Sequence, residues 1–153
     1  MDFWVADEDI TKLAEEIIGE YRKELKDVSI VYYCKEKASK KAGKLTLATA
    51  KKISPKDNVI HSFDGKPDVV FAIEIAADAW GQLNDIQKKA VLHHEICHCG
   101  FETDDNGNTT PIIMPHDIEE FSEVVKEHGY YMKDIQIFVA EILEKEEKDK
   151  DSK

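Results

Sequence analysis

The sequence predicts an α+β domain, and three observations carry that expectation. Residues 8–25 repeat apolar side chains at helical spacing, with Ile10, Leu13, Ala14, Ile17, Ile18, Tyr21 and Leu25 on one face. Three runs, 28–34, 44–53 and 69–76, read as strands, and helical patterns then return for the rest of the chain. The order helix, three strands, helix, helix, helix suits a small three-stranded or slightly larger sheet packed on one central helix, with an N-terminal helix before it and C-terminal helices after it.

Each element has a local reason. The first strand, Val28-Ser29-Ile30-Val31-Tyr32-Tyr33-Cys34, is rich in β-branched and aromatic residues. A basic turn region follows over 35–41, and Gly43 admits the second strand, which Pro55 ends. The segment up to Pro67 reads as a loop around Asp64-Gly65. In the third strand Val69, Phe71, Ile73 and Ile75 alternate with Val70, Ala72, Glu74 and Ala76, a half-buried pattern. Asn84 can cap the next helix, with Gln87 three residues on completing a capping box. Ile86, Ala90 and Val91 supply its apolar face, and Gly100 is placed to end it after about four turns. Residues 100–110 read as a Gly- and Asn-containing loop that turns the chain back. A helix over 116–128 is expected after Pro115, and a last one from Asp134, with Ile135, Phe138, Val139, Ile142 and Leu143 facing inward. Residues 1–145 are thus expected to form a single domain, and 146–153 a charged, disordered tail.

At 153 residues the chain is long enough for one real core. A formal charge of −11 and a pI near 5.0 argue against nonspecific binding to nucleic-acid phosphates and mildly favour basic peptide partners. Met1-Asp2-Phe3-Trp4 lacks the basic start and apolar run of a signal peptide, and no stretch reaches the length of a membrane span. Three cysteines, Cys34, Cys97 and Cys99, fit no disulfide framework and suit a reducing cytoplasm, which is the expected location.

The chemistry concentrates in His94-Glu95-Ile96-Cys97-His98, an H-E-x-x-H motif on the central helix. Residues four apart on a helix lie nearly above one another, so His94 and His98 can present two imidazoles to one metal ion. Glu95 is offset by about a quarter turn, which places a carboxylate beside that ion to hold and deprotonate a water. Zinc held by three protein ligands with an open fourth position lowers the pKa of such a water to about 7. The same residues contain Glu95-x-x-His98, the E-x-x-H of di-iron bundles, but those need a second copy, and three residues before His116 and His128 stand Ile113 and Val125. For the third ligand His116 is favoured, with Glu119 and Glu120 as alternatives. His93 points about 100° away from His94, His61 has no motif around it, and His128 sits at a helix end where a cation suits the dipole. Cys97 and Cys99 read as small buried hydrophobes, and Asp117 as a group that could orient a ligand imidazole. Tyr130, Tyr131 and Lys133 are more simply core or surface residues than cleft residues.

His93-His94-Glu95-Ile96-Cys97-His98-Cys99, followed by His116-Asp117-Ile118-Glu119-Glu120-Phe121, resembles the metallopeptidases of phages and prophages, a family more distantly similar to SprT-like zincins. Gly43-Lys44-Leu45-Thr46-Leu47-Ala48-Thr49-Ala50 resembles the family's glycine-led strand, and residues 70–80 its strand leading into an Ala-Trp turn. The resemblance covers about residues 8–130 and implies a minimal zincin-like fold, metal ligands at His94, His98 and His116, and Glu95 as acid/base. The expected function is zinc-dependent hydrolysis of peptide bonds, with Zn²⁺ as cofactor and a peptide or protein as substrate. For a phage-encoded chain the place of action is a bacterial host's cytoplasm. Two other readings share these residues: a metal-stabilised binding protein that acts on a host factor without hydrolysis, and a hydrolase of non-peptide amides. The 69–76 strand, just before the motif helix, is expected to border the cleft and take an extended substrate by strand addition.

Overall fold

A computed structural model describes residues 2–54, 69–119 and 121–151. The chain forms two compact units, Met1–Met114 and Pro115–Lys153. The expected loop around Asp64-Gly65, with His61, lies outside the described residues, as does Glu120.

The first unit is α+β. Its main sheet has the order β1 (Phe3–Val5), β2 (Ile30–Lys35), β6 (Phe71–Ala76), β5 (Ala48–Lys52). β2 and β6 are parallel, and β1 and β5 run antiparallel to their neighbours. Between β2 and β5 the chain makes a small hairpin, β3 (Ser39–Lys41) with β4 (Lys44–Thr46). Ala42 and Gly43 turn it with φ of 52° and 81°, the two positive values that a tight two-residue hairpin requires. The expected second strand over 44–53 is therefore two strands, and the basic turn region holds a third.

α1 (Glu8–Tyr21) buries Ile10, Ala14 and Ile17 at helical spacing, and a short 3-10 turn, Lys23–Leu25, buries Leu25. After β6 come a single-turn helix α2 (Ala77–Trp80) and the motif helix α3 (Asp85–Cys97). The capping box forms as expected: Asn84 Oδ1 accepts from the Gln87 N–H at 2.8 Å, and the Asn84 N–H donates to Gln87 Oε1 at 3.0 Å. The buried face of α3 differs from expectation. Ile86 is 82% exposed and Ala90 is exposed, while Leu92, Glu95 and Ile96 are buried. Leu92 and Ile96 join Ile10, Ile17, Phe71, Ile73 and Ile75 in one core. Burying each of these side chains contributes about 2 kcal/mol.

α3 ends at Cys97, before the expected Gly100. Gly100 lies instead in β7 (Cys99–Thr103), which pairs antiparallel with β8 (Thr109–Ile113). A Cβ at Gly100 would collide with the Met114 side chain, so glycine is required by close approach. The expected loop over 100–110 is thus a hairpin. Its tip is closed by Asp104, whose Oδ1 accepts from the N–H groups of Asn106 and Asn108, each at 2.9 Å.

β6, with β2 on one side and β5 on the other, is buried along its whole length rather than on alternate positions, because both of its faces are covered. On the face away from Ile73 and Ile75, Glu74 accepts hydrogen bonds from Tyr33 Oη (2.8 Å) and Lys51 Nζ (2.9 Å) and pairs with Lys35 Nζ at 3.3 Å. The second unit consists of α4 (Ser122–His128), which Gly129 terminates at φ 69°, and α5 (Lys133–Asp151), which buries Ile135. The expected helix over 116–128 begins only at Ser122, after Phe121 in an extended conformation. Residues 146–151, read as part of a tail, continue α5. No described helix is long and apolar enough to cross a membrane.

Burial pushes the Glu74 carboxyl upward, but hydrogen bonds from Lys51, Tyr33 and Lys35 more than offset this and hold it below the ordinary 4.5. A group whose folded pKa is depressed adds stability above its unfolded pKa and loses it as the pH falls. Replacing Glu74 by Gln is expected to lower the urea midpoint at pH 7 by the equivalent of about 2 kcal/mol. The deficit should shrink as the pH drops below 4.5; a pH-independent deficit would refute the ion-pair role.

Candidate metal centre

The rotation of α3 decides what each motif residue faces. Leu92 and Ile96 point into the core, and each residue turns the helix by about 100°. His94 and His98 therefore emerge on the side opposite the core, one turn apart. Their ring centroids are 5.0 Å apart with planes at 73°. Glu95 lies at the border between that side and the core and is 7% exposed. His93 lies on the other border, where its ring stacks on Tyr21 of α1 at 4.6 Å, consistent with a flanking role.

His98 is oriented from two directions. Its backbone C=O accepts from the Met114 N–H at 2.7 Å, and its ring Nδ1 lies within hydrogen-bonding distance of the Met114 carbonyl. A carbonyl only accepts, so Nδ1 is the donor in this contact and Nε2 is the nitrogen suited to a ligand role. This is the arrangement that histidine ligands of metals adopt. Among the described residues, His94, His98 and His116 each offer one ring nitrogen, and these three could hold a metal ion. Imidazole nitrogens suit a divalent transition-metal ion.

Glu95 faces β5. Hydrogen bonds between β5 and β6 pass through Leu47 and Ile53, so the N–H and C=O of Ala48 and Ala50 point to the outer edge of the sheet. Burial raises the Glu95 carboxyl above its ordinary pKa, while the His98 ring and the Ala50 backbone N–H pull it part of the way back. His94 Nε2 lies 4.0 Å from Glu95 Oε1. Beside these groups runs an open groove of about 430 Å³ lined by Leu45, Thr46, Leu47, Ala48, Ala90, Val91, His94 and Glu95. A larger hollow of about 630 Å³, between Trp4 and Trp80, lies away from the motif histidines. The groove, not the hollow, adjoins the groups that can do chemistry.

Several expectations change here. The strand beside the motif helix at the sheet edge is β5, whereas the expected 69–76 strand is β6, paired on both sides and with no edge to offer. Cys97 is exposed, not buried, and Cys99 is fully buried, where its thiol is pushed up to about 12 and lies 3.8 Å from the Glu95 carbonyl inside the helix turn. A thiol so held is a packing group, as expected for Cys99. Glu119 is exposed, as are Asp117, Tyr130, Tyr131 and Lys133. Sequence reasoning missed Ala50 and Met114, because each acts through its main chain and carries no side-chain signal.

Residues 2–144 match the model of a family described as Putative phage metallopeptidase. No match to a curated protein or to a solved structure was found.

Replacing Gly100 by Ala puts a methyl group where the Met114 side chain now sits. The expected result is a loss of about 1–3 kcal/mol in urea denaturation. An unchanged midpoint would mean that Met114 repacks freely and does not brace the helix end.

Proposed function

Since the chain belongs to the phage metallopeptidase family, we propose that it hydrolyses peptide bonds with a zinc ion held by His94, His98 and His116 and with Glu95 as general base. The observation that carries this reading is Glu95, a buried carboxylate beside two ring-adjacent histidines and against the open edge of β5. His94, His98 and His116 would hold a divalent cation, which would supply Lewis acidity and acidify a water beside it. Glu95 would be the group that accepts a proton and returns it to the leaving amine. Burial favours this exchange, because a carboxyl raised above its ordinary pKa both accepts and returns a proton more readily near neutrality. Met114 holds His98 in the tautomer that a ligand needs.

The substrate follows from the edge. An extended peptide lying along β5 can pair with the outward N–H and C=O of Ala48, with its side chains over Leu45 and Leu47 in the groove. Such binding reads main chain rather than sequence and suits unfolded or flexible protein segments.

Cleavage of casein by the zinc-loaded chain tests this. Glu95→Gln should reduce the rate by about 100-fold or more while one zinc per chain stays bound. His98→Ala should lose both zinc and activity, and removing zinc with a chelator should stop cleavage until zinc returns. Cleavage that survives Glu95→Gln, or a wild-type chain that binds zinc yet cuts nothing, would overturn the proposal. Zinc-bound protein without cleavage would leave a metal-stabilised binding protein as the reading.

A further inference from the structure

The C-cap residue of α1, Arg22, spreads its guanidinium over three partners. Its Nε pairs with the Glu24 carboxylate, its Nη1 donates to the Cys97 carbonyl at 3.4 Å, and its Nη2 donates to the Cys99 carbonyl at 3.2 Å. Those two carbonyls flank His98, whose own carbonyl accepts from the Met114 N–H. Three consecutive carbonyls, 97, 98 and 99, therefore each have a donor, and two of the three donors belong to one side chain. They sit where α3 ends and β7 begins, a point at which a helix leaves carbonyls without intrahelical partners. A planar fork with several fixed N–H directions can bridge two carbonyls and a carboxylate together, which a single ammonium cannot.

We propose that Arg22 is a positioning residue for the metal site, fixing the backbone on both sides of His98 so that its Nε2 points at the ion. The inference rests on His98 being a ligand. Arg22 offers no ligand atom and acts only through His98, from the far end of a different helix. Lys89 provides a built-in comparison. It also joins α1 to α3, through Glu16 and Glu20 at 3.4 Å each and over the Tyr21 ring at 5.8 Å, so its contacts fall on α1 side chains rather than on the carbonyls around His98. If Arg22 merely held the two helices together, removing either cation would have the same kind of effect.

The test uses the full chain and four variants: Arg22→Met, Arg22→Lys, Glu24→Gln and Lys89→Met. Zinc affinity is measured by competition with a chromophoric chelator, ligand geometry by the visible absorption of the cobalt-substituted protein, and apo-protein stability by urea. Arg22→Met should weaken zinc by about tenfold or more and shift the cobalt bands. Arg22→Lys should restore only part of the affinity, and Glu24→Gln should fall between wild type and Arg22→Met. Lys89→Met should leave zinc affinity and cobalt spectrum unchanged whatever it does to the urea midpoint. Metal binding to an apo protein that is already folded carries no folding contribution, so the two effects separate. Wild-type affinity and spectrum in Arg22→Met, even with a lower midpoint, would reduce Arg22 to a helix cap and overturn the proposal. If Arg22→Met fails to fold, Arg22→Lys and Glu24→Gln decide it on the same two metal readouts. A wild-type chain that takes up neither zinc nor cobalt would sink the metal reading itself, and this inference with it, a failure visible before any variant is made.

Discussion

Burial of Leu92 and Ile96 against the sheet sets the rotation of the motif helix, and that rotation distributes the work of its five central residues. With those two side chains in the core, one border of the helix must face the sheet edge and the other must face α1. Glu95 falls on the first border and His93 on the second. The side opposite the core receives His94 and His98. The motif spacing alone would allow the pair of imidazoles at any rotation. Only this one also lowers a carboxylate into the angle between the histidines and β5, where burial raises its pKa and a backbone N–H steadies it.

The order of strands gives that angle its second wall. A central strand has all its main-chain groups spent on neighbours, while an outermost one has every second N–H and C=O turned outward. β5 is outermost and antiparallel to β6, and it is reached through the small β3–β4 hairpin that lines the same groove. The turn of that hairpin places Ala42 in a left-handed conformation unusual for a residue with a Cβ, a modest strain that the paired strands on either side hold in place.

Much of this was legible in the chain, and the gaps have physical causes. The α+β class, the first helix, the capping box and the motif followed from periodicity and spacing, which are local. The rotation of α3 did not. Ile86 and Ala90 look like core residues on a helical wheel, and only the position of the sheet exposes them. The β7–β8 hairpin was hidden because Pro111 sits inside one strand and the turn residues outnumber the apolar ones, so a proline tolerated on an edge strand looked like a breaker. The half-buried reading of residues 69–76 failed because alternation reports side-chain type, not what covers each face: Glu74 is polar yet buried under Lys35, Lys51 and Tyr33. His116 was readable as a histidine at a suitable distance in sequence, but not as a residue that precedes the helix, which starts only at Ser122.

The tip of the β7–β8 hairpin has a practical consequence. Four register pairs separate it from Cys99 and Ile113, and the turn closes on itself through Asp104, Asn106 and Asn108. Gly107, with open space around it, marks the crest. An epitope or a fluorescent label grafted at that crest would ride on a self-contained loop, with the ladder insulating the histidines from whatever is attached. The hairpin thus doubles as a handle by which the molecule can be tethered, tracked or pulled from a mixture.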